Sequence, residues 1–282
     1  MVINKSFINI KAIKNSMDPK NQKTLESFVM KFEEVAKIIR NKDHDCIIAP
    51  MFGAVPFIDI LNIIDEEFQN NKVEYIPASN KVYRIREVLR EAFQGIIGAY
   101  TPNGGSLISL DEVVSGNSLQ RIYKQFEAAR INYANKKTTE TYGIHTDFTL
   151  EQVRAFRDSI IKSIRYNSIG IIDPKMNRMK REMNPAYKEL VDNGIVVPIK
   201  TEGIVTMDNI EFFPAKYKVA KDDQDKILYL PVVDTFNISS TYIDFLKNVA
   251  EILGKNPEEV TVRNIGKIRD SYKWVPSYLR SI

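Results

Sequence analysis

Leu107-Ile108-Ser109-Leu110-Asp111-Glu112-Val113-Val114-Ser115-Gly116-Asn117-Ser118-Leu119 is the stretch that decides how this chain is read. Ser106–Leu110 is a short apolar run, the pattern of a buried strand. It ends in two adjacent acids. A turn containing Ser115, Gly116 and Ser118 then opens a helix over roughly 118–135. Backbone N–H groups at a helix start, helped by hydroxyls, form a cradle for phosphate. Gly116 lets the backbone come close to such an anion. Two carboxylates just before the cradle would repel a phosphate. They suit a hydroxylated group attached to it, such as a ribose whose 2′ and 3′ hydroxyls donate hydrogen bonds.

Working outward, the same grammar recurs. Cys46-Ile47-Ile48-Ala49 is an apolar run that leads into the turn-like Pro50-Met51-Phe52-Gly53-Ala54. A helix follows through Ile58, Leu61, Ile64 and Phe68. Val73–Ile76 is a second short strand, with a helix after it through Val82, Ile85, Val88, Leu89 and Phe93. Upstream, Asp18-Pro19 starts a helix, and Leu25, Phe28, Val29, Phe32, Val35 and Ile39 repeat at helical spacing. Downstream, Thr149 and Gln152 form a capping box for a helix through Val153, Phe156, Ile160, Ile161 and Ile164. Ile169–Ile172 is a fourth strand, and Asn184-Pro185 opens a helix that Gly194 stops. Short strands are expected at 195–199, 204–207 and 210–213. Strands alternating with helices predict an α/β fold, a Rossmann-like parallel sheet flanked by helices.

Residues 216–226 are charged and read as a surface connection. Beyond them come a strand at 227–233, a helix at 240–253 and a helix opened by Asn256-Pro257. The expected organisation is a core over 1–215 and a C-terminal, mostly helical appendage over 216–282.

The 107–119 segment resembles the ribose-5-phosphate loop of the type I phosphoribosyltransferases: an apolar strand, two acids, two small or apolar residues, then a Ser/Thr-Gly turn. Asp45-Cys46-Ile47-Ile48-Ala49-Pro50-Met51-Phe52-Gly53-Ala54-Val55-Pro56 resembles the pyrophosphate loop of that family, and it lies upstream as the family order requires. The resemblance implies phosphoribosyl pyrophosphate as substrate. It implies Mg²⁺ held mainly by diphosphate and ribose oxygens and by water, as suits an ion that dehydrates reluctantly. A nitrogen of a nucleobase or related acceptor would attack ribose C1 as pyrophosphate leaves. Asp111 and Glu112 would hold the ribose hydroxyls and stabilise positive charge on the sugar. Ser115, Gly116, Asn117, Ser118 and Leu119 would fix the 5-phosphate, and Gly53, Ala54 and Lys81 would stabilise the leaving pyrophosphate. Arg84 and Arg86 lie close to Lys81, although a solvated charged helix face accounts for these two arginines more simply. The family also admits a homodimer. The sequence departs from the family at Phe52, where a basic or small polar residue is usual, and at Asn117. The first departure keeps open a non-catalytic module that binds phosphoribosyl pyrophosphate or a nucleotide.

Composition sets the outer limits. The chain has 282 residues, 44% hydrophobic and 27% charged, which is enough apolar surface to exclude a disordered chain. Gly and Pro number 12 each, too few for a collagen or linker protein. Cys46 is the only cysteine, so no internal disulfide is possible; it reads as a buried thiol in a cytoplasmic protein. No stretch reads as a membrane span, and the lysine-dotted N-terminus does not read as a signal peptide. Two histidines, His44 and His145, with one cysteine do not make a transition-metal site of the usual kind. Neither a P-loop nor a GxGxxG occurs. Lys175, Arg178, Lys180 and Arg181 form a basic cluster that would suit a nucleic-acid backbone, but a solvated helix face accounts for it more simply. Net charge is +4 with a pI near 8.9, which permits phosphorylated partners without requiring nucleic acid.

Overall fold

Pro19–Asn41 forms α1, whose apolar stripe of Leu25, Phe28, Val29, Phe32, Val35 and Ile39 is fully buried, as its spacing predicts. A computed structural model describes residues 19–51, 53–68, 72–78, 84–143, 148–172, 182–201, 216–221, 227–232 and 240–260. After α1 come β1 (Cys46–Met51), α2 (Val55–Ile64), β2 (Val73–Pro77), α3 (Ile85–Tyr100) and β3 (Gly105–Val113). Then follow α4 (Asn117–Tyr142), α5 (Leu150–Ser163), β4 (Ile164–Ile172), α6 (Pro185–Asp192) and β5 (Val196–Lys200). The described chain closes with β6 (Lys216–Lys221), β7 (Ile227–Val232), α7 (Ser240–Ile252) and a single 3₁₀ turn, Pro257–Glu259.

Five parallel strands make one sheet in the order β2-β1-β3-β4-β5. Every residue of β1 and of β2 is buried, which is what a sheet covered on both faces requires. One face packs against α1, α2 and α7 through Phe28, Phe32, Phe57, Ile108, Leu110 and Phe245. The other packs against α3, α4 and α6: Leu107, Phe93 and Phe126 form one cluster, and Val113, Leu119 and Tyr187 another. Alternation along β3 therefore sends even positions to the α2 side and odd positions to the α4 side.

Several boundaries differ from the sequence reading. The strand expected at 106–110 continues to Val113, because Asp111, Glu112 and Val113 pair with Gly170, Ile171 and Ile172 of β4. The acids thus sit inside the strand. Ile164 begins β4 rather than ending α5, and the expected α5 stripe of Val153, Phe156, Ile160 and Ile161 is only half-buried. The capping box is present: the amide of Gln152 donates to Thr149 Oγ1 at 3.2 Å, and the amide of Thr149 donates to Gln152 Oε1 at 2.9 Å. Lys216–Lys221, read as a surface connection, is a strand paired antiparallel with β7. The helix at 240–252 does not stand apart as an appendage. Its Tyr242, Phe245, Leu246 and Val249 are buried in the cluster formed by α1 and α2, and the Tyr242 hydroxyl donates to the buried Asp59 carboxylate of α2. The strands expected at 204–207 and 210–213 lie outside the described residues, as do Phe52 and Lys81.

Candidate functional site

The strand order reverses between β1 and β3. β1 leads leftward to β2, whereas β3, β4 and β5 run rightward. In open parallel sheets, ligands bind beyond the strand carboxyl ends at such a switch point. Here the two strands also part company. Their ladder covers only Cys46↔Leu107 to Ile48↔Ser109. Beyond it, β1 stays with β2 as far as Met51↔Pro77, and β3 stays with β4 as far as Val113↔Ile172. Both loops singled out from the sequence leave the sheet at this opening.

Asp111 stands at the opening, 6% exposed, on the α4 side. Its Oδ1 accepts from the Glu112 amide at 2.9 Å, and the neighbouring Ser118 hydroxyl favours its charged form. Burial dominates its ionisation and pushes the pKa up to about 7, against the pull of Ser118, the Glu112 amide and the Arg121 charge. Gly53, from the β1 loop, leans over this carboxylate: a Cβ placed there would lie 3.3 Å from Asp111 Oδ1. Glu112 is half-buried and, by strand alternation, belongs to the opposite face with Ile108 and Leu110. The adjacent acids therefore flank the opening from its two sides.

The loop between β3 and α4 is a tight corner. Gly116 is the N-cap of α4 at φ +77°, and the first intrahelical bond runs from the Gln120 amide to its carbonyl at 3.0 Å. No side chain caps the helix. The amides of Asn117, Ser118 and Leu119 precede the first α-helical bond and so lack an i−4 carbonyl. The 26-residue α4 adds its dipole behind them. Leu119 itself is buried among Val113, Tyr187 and Leu190, so only its backbone can serve a ligand. In the β1 loop, the Ala54 amide is already used, donating to Pro50 O at 3.1 Å to close the turn.

Sequence reading missed the segment that closes the corner from the side. Tyr187 of α6 lies against Gly116 so closely that an added Cβ would come within 2.3 Å of its ring carbon. The Asn184 amide donates to Ser115 O at 2.9 Å, and its Nδ2 donates to Asn117 Oδ1 at 2.5 Å. Asn184 was legible only as the cap of α6, a role it also fills through the Ala186 amide at 2.9 Å. The sequence also gave no sign of a buried hydroxyl network beneath Asp111, where Ser109 Oγ lies 2.6 Å from the Tyr166 hydroxyl and donates to Ser168 Oγ at 2.7 Å. Arg121, from the second turn of α4, reaches across to Ala78 O at the end of β2, 2.7 Å away.

Comparison of the chain with family models, with curated proteins and with solved structures gives no match. Among the described residues no helix is long and apolar enough to cross a membrane. Among them, too, no three His, Cys, Asp or Glu side chains converge as a metal cage.

Proposed function

We propose that the protein binds phosphoribosyl pyrophosphate at the β1/β3 opening and transfers its phosphoribosyl group to a nitrogen of a nucleobase or related acceptor, in the cytoplasm. The observation that carries this reading is the convergence at one opening of a buried carboxylate, Asp111, with the uncapped N-terminus of α4 and the Gly53 turn. Such a place matches a phosphorylated sugar end to end. The 5-phosphate meets the Asn117, Ser118 and Leu119 amides. The ribose lies over the gap between the strands, with Asp111 on one side and Glu112 on the other. Ionised, Asp111 accepts from a ribose hydroxyl and offsets positive charge developing at C1. Positioning and charge stabilisation suffice for such a reaction, and no covalent nucleophile is required.

Mg²⁺ that arrives with its diphosphate would keep most of its ligands on substrate oxygens and water. When bound, the ion would offset negative charge on the leaving pyrophosphate. The chain's own part is to hold the sugar and its 5-phosphate in register.

Calorimetric titration with phosphoribosyl pyrophosphate and Mg²⁺, and separately with ribose 5-phosphate, tests the site. Both should bind, and Asp111→Asn combined with Glu112→Gln should abolish pyrophosphate release in the presence of the right acceptor. Binding of neither ligand refutes the reading. Binding without turnover across a broad acceptor panel would assign the same site to a non-catalytic sensor.

A further inference from the structure

α3 and α4 lie side by side, and their facing side chains form rungs. In the lower rung Arg90 of α3 meets Gln125 of α4: Nε and Nη2 both donate to Gln125 Oε1, at 3.4 and 3.2 Å. These residues are 35 positions apart. One helical turn nearer the sheet opening, the same separation places Arg86 opposite Arg121. A neutral acceptor completes the lower rung. In the upper rung the charge of Arg86 acts on that of Arg121, like on like.

Among the described residues this rung is neutralised only in part. Arg121 spends one nitrogen on Ala78 O, and its buried Nε has no hydrogen-bond partner among the described residues. The carboxylate acting on it is Asp111, which burial leaves only partly ionised near neutral pH. Burial, together with the repelling charge of Arg86, depresses the Arg121 pKa, while Asp111 opposes them. Arg86 is exposed, and among the described residues no carboxylate forms an ion pair with it. Its neighbour Arg84, by contrast, is paired with Glu87 at 3.2 Å. Arg84 also has φ +48°, the one positive value for a non-glycine among the described residues. Backbone in that region costs about 1–3 kcal/mol and collects at ligand sites.

We propose that Arg86 and Arg121 form an anion subsite that takes a phosphoryl group, on the α3/α4 side of the sheet opening. The pair supplies what a phosphate needs: two planar donors from neighbouring helices, a buried N–H awaiting an acceptor, and positive charge that Asp111 offsets only in part. If the reading under Proposed function holds, on which the ligand's identity rests, the occupant is the diphosphate end of the donor while the α4 amides hold its 5-phosphate. Phosphoryl chemistry could equally reach the subsite as a separate inorganic anion.

The test uses the full chain and Arg86→Gln. This variant changes an exposed side chain and recreates in the upper rung the Arg–Gln pairing of the lower one. Inorganic pyrophosphate should raise the melting temperature of the unchanged protein more than chloride at equal ionic strength, and Arg86→Gln should lose that increment. The variant should itself melt higher in the absence of anion, since repulsion is relieved. Its pyrophosphate affinity should fall about tenfold or more, the typical value of a lost charge-assisted contact. A pyrophosphate effect no larger than that of chloride, or one that Arg86→Gln retains, overturns the subsite. Two arms separate the sources. A loss confined to phosphoribosyl pyrophosphate, with ribose 5-phosphate binding unchanged, identifies the ligand's own diphosphate. Simultaneous binding of inorganic phosphate and phosphoribosyl pyrophosphate, with only the former lost in Arg86→Gln, identifies an independent anion. If neither sugar phosphate binds but Arg86-dependent pyrophosphate binding persists, the phosphoribosyl reading fails and the subsite stands.

Discussion

Replacing Asp111 by Asn should stabilise the fold while removing its ligand, and the stabilisation should grow with pH. The folded protein holds this carboxyl at a pKa of about 7, chiefly because burial disfavours its charge. In the unfolded chain it titrates in the ordinary range near 4. Between about pH 4 and pH 7 the folded state therefore retains a proton that the unfolded state has released. Stability falls as pH rises through that window and levels off above it. Each tenfold change in proton affinity is worth about 1.4 kcal/mol, so the cost approaches about 4 kcal/mol above pH 7. Asn carries no such charge. It does place an NH₂ beside the Ser118 hydroxyl, the Glu112 amide and Arg121, a penalty of about 1–2 kcal/mol that does not vary with pH. Urea unfolding of both proteins at pH 4.5, 6 and 8 measures the difference. The variant should gain on the unchanged protein by about 3–4 kcal/mol between the lowest and highest pH. A difference constant to within about 0.5 kcal/mol over that range would refute the buried, proton-retaining carboxyl. A gain in stability coupled to loss of ribose 5-phosphate binding would mark Asp111 as a group kept for function at a cost to the fold.

Two further substitutions probe how the opening is built. Gly116→Ala forces a Cβ to within 2.3 Å of the Tyr187 ring at a backbone φ of +77°, so the loop must shift. Loss of at least about 1–2 kcal/mol in urea unfolding, with weakened ribose 5-phosphate binding, is expected; an unchanged midpoint and affinity would contradict the corner geometry. Phe245→Ala in α7 should cost about 3–5 kcal/mol, as for a core aromatic, because its side chain is fully buried against α1 and α2. A loss under about 1 kcal/mol would mean that α7 does not share the main core.

Local signals carried well where one element could be read by itself. The α1 stripe and the Thr149–Gln152 box depend on residues three and four apart, so periodicity and capping chemistry expose them directly. Strands alternating with helices marked a parallel sheet covered on both faces, and β1 and β2 are buried throughout. The acids of β3 were legible as chemistry, but their setting was not. Whether a strand stops at Leu110 or runs to Val113 depends on β4 standing beside it, and Gly170 to Ile172 lie far along the chain. Lys216–Lys221 looked like a charged connection because its pairing partner, β7, supplies the hydrogen bonds that make it a strand.

By itself, then, the sequence determined the alternation of strands and helices, the positions of the two glycine turns and the placing of two adjacent acids just before one of them. These follow from backbone sterics and side-chain periodicity over a few residues. Only the tertiary structure decided what surrounds them. Strand order placed both turns at one opening, and alternation in β3 put Asp111 and Glu112 on opposite sides of it. Packing brought Tyr187 onto Gly116 and the charge of Arg86 to bear on Arg121. Burial raised the Asp111 pKa. These contacts join residues many tens of positions apart, and desolvation is a property of the assembled interior, so no short window of sequence contains them.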